Sequence, residues 1–180
     1  MTIEPDTKNW TWVLERGCEE CGFDILSFPR QAIGDLLREA AAPWPRFLAH
    51  PLARERPDNV TWSALEYGCH VRDVFRLGLY RVNRMLKEDD PRFDNWDQDE
   101  TAVADRYDLQ DPIVVADEVA EAAAAFADVY DTVGADQWSR PGLRSDGSPF
   151  TVESFGRYYV HDLMHHIVDV RRGFETLDGR

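Results

Sequence analysis

The chain has 180 residues, is 43% hydrophobic and carries a net charge of −14. At that length one domain with its own core is expected, and the charge argues against a nucleic-acid or anionic-membrane partner. No apolar run reaches the roughly 18 residues of a membrane-spanning helix.

The start, Met1-Thr2-Ile3-Glu4-Pro5-Asp6, is polar and acidic, unlike a secretory signal, so the expected compartment is the cytoplasm. Residues 1–28 form an N-terminal arm and residues 29–180 the folded body. Within the arm, Trp10-Thr11-Trp12-Val13-Leu14 reads as a short extended piece that packs its tryptophans on the body. Cys18-Glu19-Glu20-Cys21 follows. With Cys69 there are three cysteines, an odd number and too few for a disulfide framework. No second CxxC completes a four-ligand zinc site, so the pair reads as a tight turn with two half-buried thiols.

Phe28-Pro29 opens a first helix with an apolar stripe of Ile33, Leu36, Leu37, Ala40 and Ala41, which Pro43 and Pro45 end or kink. Ser63-Ala64-Leu65-Glu66 is a capping box for a second helix reaching about Leu86. Its inward stripe is Tyr67, His70, Val74, Leu77 and Arg81. Lys87 to Asp111 holds ten acidic and three basic residues and reads as a solvated connection with little regular structure. Asp111-Pro112 starts a third, alanine-rich helix with Ile113, Val115, Val119, Ala123, Phe126 and Tyr130 facing inward, and Gly134 is its expected stop. Residues 135–149 read as a loop. A fourth helix begins near Pro149 or Thr151, turns Ser154, Tyr158, His161, His165, Val168 and Arg172 inward, and ends at Gly173. Four helices with one long connection make a four-helix bundle the economical architecture.

Three of the five histidines carry the chemistry. His161 and His165 are four residues apart, one turn above the other on a helix. Such a pair can hold one metal ion, and His70 from a neighbouring helix would complete a set of three with open positions for water or substrate. Each histidine has an ordinary reading too, as a hydrogen-bonded core residue. His166 points about 100° away, toward solvent or a hydrogen bond. Asp73, Asp162 and Asp169 are candidates for the second N–H of a ligand imidazole, or are surface charges. Three neutral imidazoles suit zinc first, then nickel or iron(II), and a divalent ion there would activate water or a thiol as nucleophile. Arg81, three turns beyond His70, could meet a carboxylate, and Tyr158, a turn before His161, could donate a hydrogen bond. Both are equally readable as packing.

Three stretches resemble the DinB-like superfamily. They are Trp62-Ser63-Ala64-Leu65-Glu66 with His70-Val71-Arg72-Asp73, then Trp138-Ser139-Arg140-Pro141-Gly142 with Asp146-Gly147, and His161-Asp162-Leu163-Met164-His165-His166. The resemblance spans roughly residues 30–173. It implies an up-down-down-up four-helix bundle whose metal ligands fall at His70, His161 and His165, with the arm as an N-terminal extension outside the pattern. It further implies a metal-dependent thiol S-transferase or isomerase that takes a low-molecular-weight thiol such as mycothiol and a small-molecule electrophile. The arginine-over-lysine usage suits an actinobacterial source, where mycothiol is the thiol. A metal-dependent hydrolase and a non-enzymatic metal- or ligand-binding protein are the alternatives. A homodimer is compatible with the exposed faces of a bundle.

Overall fold

The computed structural model describes residues 9–179, so the polar start Met1–Asp6 lies outside the described residues. The first apolar stripe folds as α1 (Ile33–Ala41). Pro43 interrupts it, and α2 (Trp44–Leu48) resumes with a proline in its first turn, where the missing N–H has no helical partner to lose. The capping box forms as expected. Ser63 Oγ accepts from the Glu66 N–H, the Glu66 carboxylate accepts from the Ser63 N–H, and α3 (Ala64–Lys87) follows. At its other end, Arg140 donates to the carbonyls of Met85 and Glu88, both at 2.6 Å, and satisfies groups that the helix leaves unpaired. Asp111 caps α5 (Pro112–Asp131) and Thr151 caps α6 (Val152–Asp178).

Helix α1 packs on α5 and α6, and α3 packs on the same two, so α3 and α6 are neighbours. Between them lies a core built on Phe75, Phe126, Tyr130, Phe155 and Tyr159. Residue 156 of α6 must be small to admit the Tyr130 side chain from α5: a Cβ there would sit 2.6 Å from the Tyr130 ring. Tyr130 then spans the gap, its hydroxyl donating to the Val152 carbonyl at 3.0 Å. No helix among the described residues is long and apolar enough to cross a membrane.

Several expectations are corrected. Lys87–Asp111 is structured: it contains β1 (Arg92–Phe93), α4 (Gln98–Ala104) and a 3-10 turn at Tyr107–Leu109. Buried Phe93 and Tyr107 anchor it, and Asp97 caps α4, so a few apolar anchors outweigh the acidic composition. Residues 135–149 are not a plain loop, because β2 (Pro141–Arg144) pairs antiparallel with β3 (Pro149–Thr151) and parallel with β1. The arm segment Trp10–Leu14 is a 3-10 helix capped by Asn9, not extended. Helix α5 stops at Asp131, short of Gly134, and exposes Ile113, whereas α6 runs five residues beyond Gly173. Finally, the apolar buried ridge of α6 is Phe155, Tyr159, Leu163, Ile167 and Val170, one to two residues off the expected one, of which His161 and His165 are nevertheless buried. Ser154 and Val168 are half-buried and Arg172 is exposed. That offset decides which side chains share the site.

Candidate metal centre

Helix α6 carries two i, i+4 pairs in the run His161-Asp162-Leu163-Met164-His165-His166. One residue of offset turns the second pair about 100° from the first, and the two reach different partners. His70, Asp162 and His166 come together between α3 and α6, with one ligand atom from each within 4.8 Å of the others. His161 and His165 face the arm, where Cys18 and Cys21 join them in a second group of the same tightness. The structure therefore divides His70, His161 and His165 between two clusters. His166, read from the sequence as pointing to solvent or making a hydrogen bond, faces His70.

In the first cluster, Nε2 of His70 lies 3.1 Å from Nε2 of His166, and His166 Nε2 lies 3.8 Å from Asp162 Oδ1. The outer nitrogen of His166, Nδ1, donates to Asp169 Oδ2 at 3.1 Å. That bond fixes the tautomer and leaves the His166 Nε2 lone pair directed at His70. One position between the two rings then holds either a proton or a cation. Two imidazoles on one divalent ion place their nitrogens about 3.0–3.4 Å apart for metal–nitrogen bonds of about 2.0–2.1 Å, so the donors fit such an ion. His70 stands between Trp62 and Trp96, its ring stacked on Trp96 at 5.5 Å. Its Nδ1 is buried with no hydrogen-bond partner. Burial, with His166 alongside, holds the His70 pKa well below the ordinary imidazole value, so the ring is neutral and able to ligate. Burial pushes the Asp162 carboxyl up, against the pull of His166.

The second cluster is more enclosed. His161 is 2% exposed and Cys18 2%, with His165 at 9%. Burial first, and His165 second, bring the His161 pKa down to about 4, and burial takes the Cys21 thiol up to about 11. Asp169 serves both clusters, since its Oδ1 lies 3.6 Å from His165 Nε2 while Oδ2 holds His166. Burial opposes ionisation of Asp169, but the His166 hydrogen bond outweighs it and the carboxyl titrates below its usual range. The other suggested carboxylate, Asp73, is engaged elsewhere by Arg72 and the Tyr107 hydroxyl.

Beside both clusters opens a cavity of about 530 Å3, its wall carrying His70, Asp162 and His166 and also His161 and His165. Arg81 and Tyr158 both line it, with Trp96, Asp97 and Arg144 from the segments read as loops. Arg81 donates to the Asp94 carbonyl at 2.8 Å. Tyr158 accepts from Arg144 at 3.2 Å, and burial raises its pKa to about 12, so its hydroxyl keeps its proton. The functional candidates missed in the sequence are His166 and Asp162 as direct partners of His70, and the cysteines as partners of His161 and His165. The signal was present: a run with two interleaved i, i+4 pairs offers two faces, and a CxxC lacking a second CxxC can be completed by HxxxH.

The family profile described as the DinB superfamily matches residues 32–168. Among solved structures, the chain is similar to YfiT from Bacillus subtilis, which is described as a probable metal-dependent hydrolase with an unusual four-helix bundle topology. The TM-score is 0.77 at 15% identity, over 98% of this chain and 94% of that one. A likeness at that identity speaks for the fold. No curated protein matches.

Proposed function

The chain belongs to the DinB superfamily, and from that premise we propose that it is a metal-dependent hydrolase whose centre is His70, Asp162 and His166. The observation that carries this reading is the three-donor cluster opening on a polar cavity: His70 and His166 meet at 3.1 Å, Asp162 stands beside them, and substrate can approach. Two histidines and one carboxylate with a position left open is the ligand count of hydrolytic zinc sites. A divalent ion in this set lowers the pKa of water and so provides a nucleophile at neutral pH. Asp169 orients His166 and raises its basicity. Trp62 and Trp96 hold the His70 ring and exclude water from its faces. Arg81 and Arg144 are the cations of a cavity wall that Asp97, Asp99 and Asp146 also line, and they are the groups that would meet a carboxylate-bearing ester or amide, while the Tyr158 hydroxyl would serve as proton donor to the leaving group. The likeness to YfiT adds support for the reaction class. Zinc suits the donor set best, while the same set also suits iron(II).

A second reading, transfer of a low-molecular-weight thiol such as mycothiol to an electrophile, draws support from the cavity: about 530 Å3 accommodates a co-substrate as well as a substrate. The test compares untagged protein loaded with zinc, nickel or iron(II) against a panel of carboxylate-bearing esters and amides, with and without thiol. Metal-dependent turnover without thiol, lost in His70→Ala/His166→Ala, supports the hydrolase. Turnover only with thiol and an electrophile replaces it with the transferase, and no turnover under either condition removes both.

A further inference from the structure

Cys18, Cys21, His161 and His165 form a group that neither reading uses. We propose that it is a second metal site, a closed Cys2His2 zinc centre that fastens the N-terminal arm to α6. Cys21 Sγ lies 3.6 Å from His161 Nε2 and Cys18 Sγ lies 3.8 Å from His165 Nδ1. Zinc–sulfur bonds of about 2.3 Å and zinc–nitrogen bonds of about 2.0–2.1 Å at a tetrahedral angle place S and N about 3.6 Å apart. One ligand atom from each of the four residues lies within 4.8 Å of the rest. The spacings, C-x2-C and H-x3-H, are those of structural zinc sites, although 139 residues separate Cys21 from His161.

The arm is shaped for this role. The chain turns back on itself at the cysteines: the Cys18 N–H donates to the Phe23 carbonyl at 2.9 Å and the Gly22 N–H to the Cys18 carbonyl at 2.8 Å. Gly22 has φ +74°, which favours glycine. Two thiolates and two neutral imidazoles leave a zinc complex without net charge, which a buried site tolerates. Asp169 lies 3.6 Å from the outer nitrogen of His165, the second partner that ligand histidines characteristically have. With four protein donors there is no open position, so the centre is structural. What it holds matters for the cavity. Trp10 packs on His161 and His165, with ring centroids 5.8 and 4.9 Å away, and lines the cavity wall.

The experiment uses untagged full-length chain under reductant, loaded with cobalt(II), whose tetrahedral thiolate complexes show near-ultraviolet charge transfer and intense visible bands. Spectra are read for the wild type, His70→Ala/His166→Ala and Cys18→Ser/Cys21→Ser, with zinc content measured in parallel. The proposal expects the thiolate bands in the wild type and in the His70/His166 variant, and their loss, with one zinc fewer per chain, in the cysteine variant. The wild-type spectrum decides even if the cysteine variant fails to fold. Cobalt bound without thiolate charge transfer, unchanged zinc content in a folded cysteine variant, or a chain whose two arm thiols are joined as a disulfide with no metal would each overturn it.

Discussion

The two faces of α6 offer the same i, i+4 geometry and differ in what meets them. The His161/His165 face meets two thiols from a short turn, giving four donors, three buried and Cys21 half-buried, that close around one point. The Asp162/His166 face meets a single imidazole from α3, giving only three donors on the wall of a cavity that His161 and His165 also line. Donor number separates holding from reacting: a full set leaves no position for substrate, and a set short by one leaves it room. The division follows from backbone register, because adjacent residues on a helix point about 100° apart. Asp169 ties the two faces together through its two oxygens.

The largest effect that would break this comparison is a loss of turnover from the open face alone. His70→Ala/His166→Ala removes two of three donors, and metal assistance is worth several kcal/mol. We expect kcat/KM for the metal-loaded protein to fall by about 1,000-fold or more, with far-ultraviolet circular dichroism unchanged. An equal loss in Cys18→Ser/Cys21→Ser, with the arm still in place, would reverse the roles of the two faces.

Removing metal from the closed face should act on stability. A ligand at 100 times its dissociation constant stabilises the folded chain by about 2.7 kcal/mol. For a chain of this size we expect the zinc-loaded wild type to melt about 5–10 °C above Cys18→Ser/Cys21→Ser, and limited proteolysis of the variant to begin in the arm. If the melting temperatures coincide with and without zinc, the closed face does not hold the arm through metal. Asp169→Ala should give a smaller change spread over both faces, with metal affinity about 10–100-fold weaker, read by competition with a chelator. A variant that weakens neither site would show that the shared carboxylate is only a surface charge.

The bundle was legible because its signals are local and strong. The box at Ser63 and Glu66, the Asp111-Pro112 start and the apolar stripe from Ile33 formed where expected. His70 lies on the inward face of α3 as its stripe predicts, and Arg81 and Tyr158 line the cavity. The grouping of ligands was harder to read, since periodicity fixes a face only to within a residue. His161-Asp162 and His165-His166 give two pairings one residue apart, and the choice depends on how α6 rotates against α3 and α5, where Gly156 admits Tyr130 and brings Phe155, Tyr159 and Leu163 inward. Long-range partners left no local trace: nothing near Cys18 points 147 residues ahead to His165. The acidic segment misled through composition, because burial of Phe93 and Tyr107 decides its fold while its charges remain mostly outside.

The smallest effect sharpens the comparison from the α3 side and appears only in acid. Glu66 lies one turn before His70 and is buried, where it accepts from Arg56 at 2.9 Å, from the Ser63 N–H at 2.9 Å and from the Ser63 hydroxyl at 2.8 Å. Burial alone would raise its pKa, but Arg56 and Ser63 outweigh that and hold the carboxyl below its ordinary value. A carboxylate with a depressed folded pKa contributes stability that is fully present above the unfolded value of about 4.3. That contribution is lost as pH falls through the folded value, at no more than about 1.4 kcal/mol per pH unit. Glu66→Gln has no such proton to take up, so the stability gap between wild type and variant should narrow below about pH 4.3 and hold steady above it. Urea unfolding midpoints over that range measure the gap. A gap that stays constant into acid would mean that the Glu66 charge does not anchor the start of α3, and the first turn leading to His70 would then owe its place to packing alone.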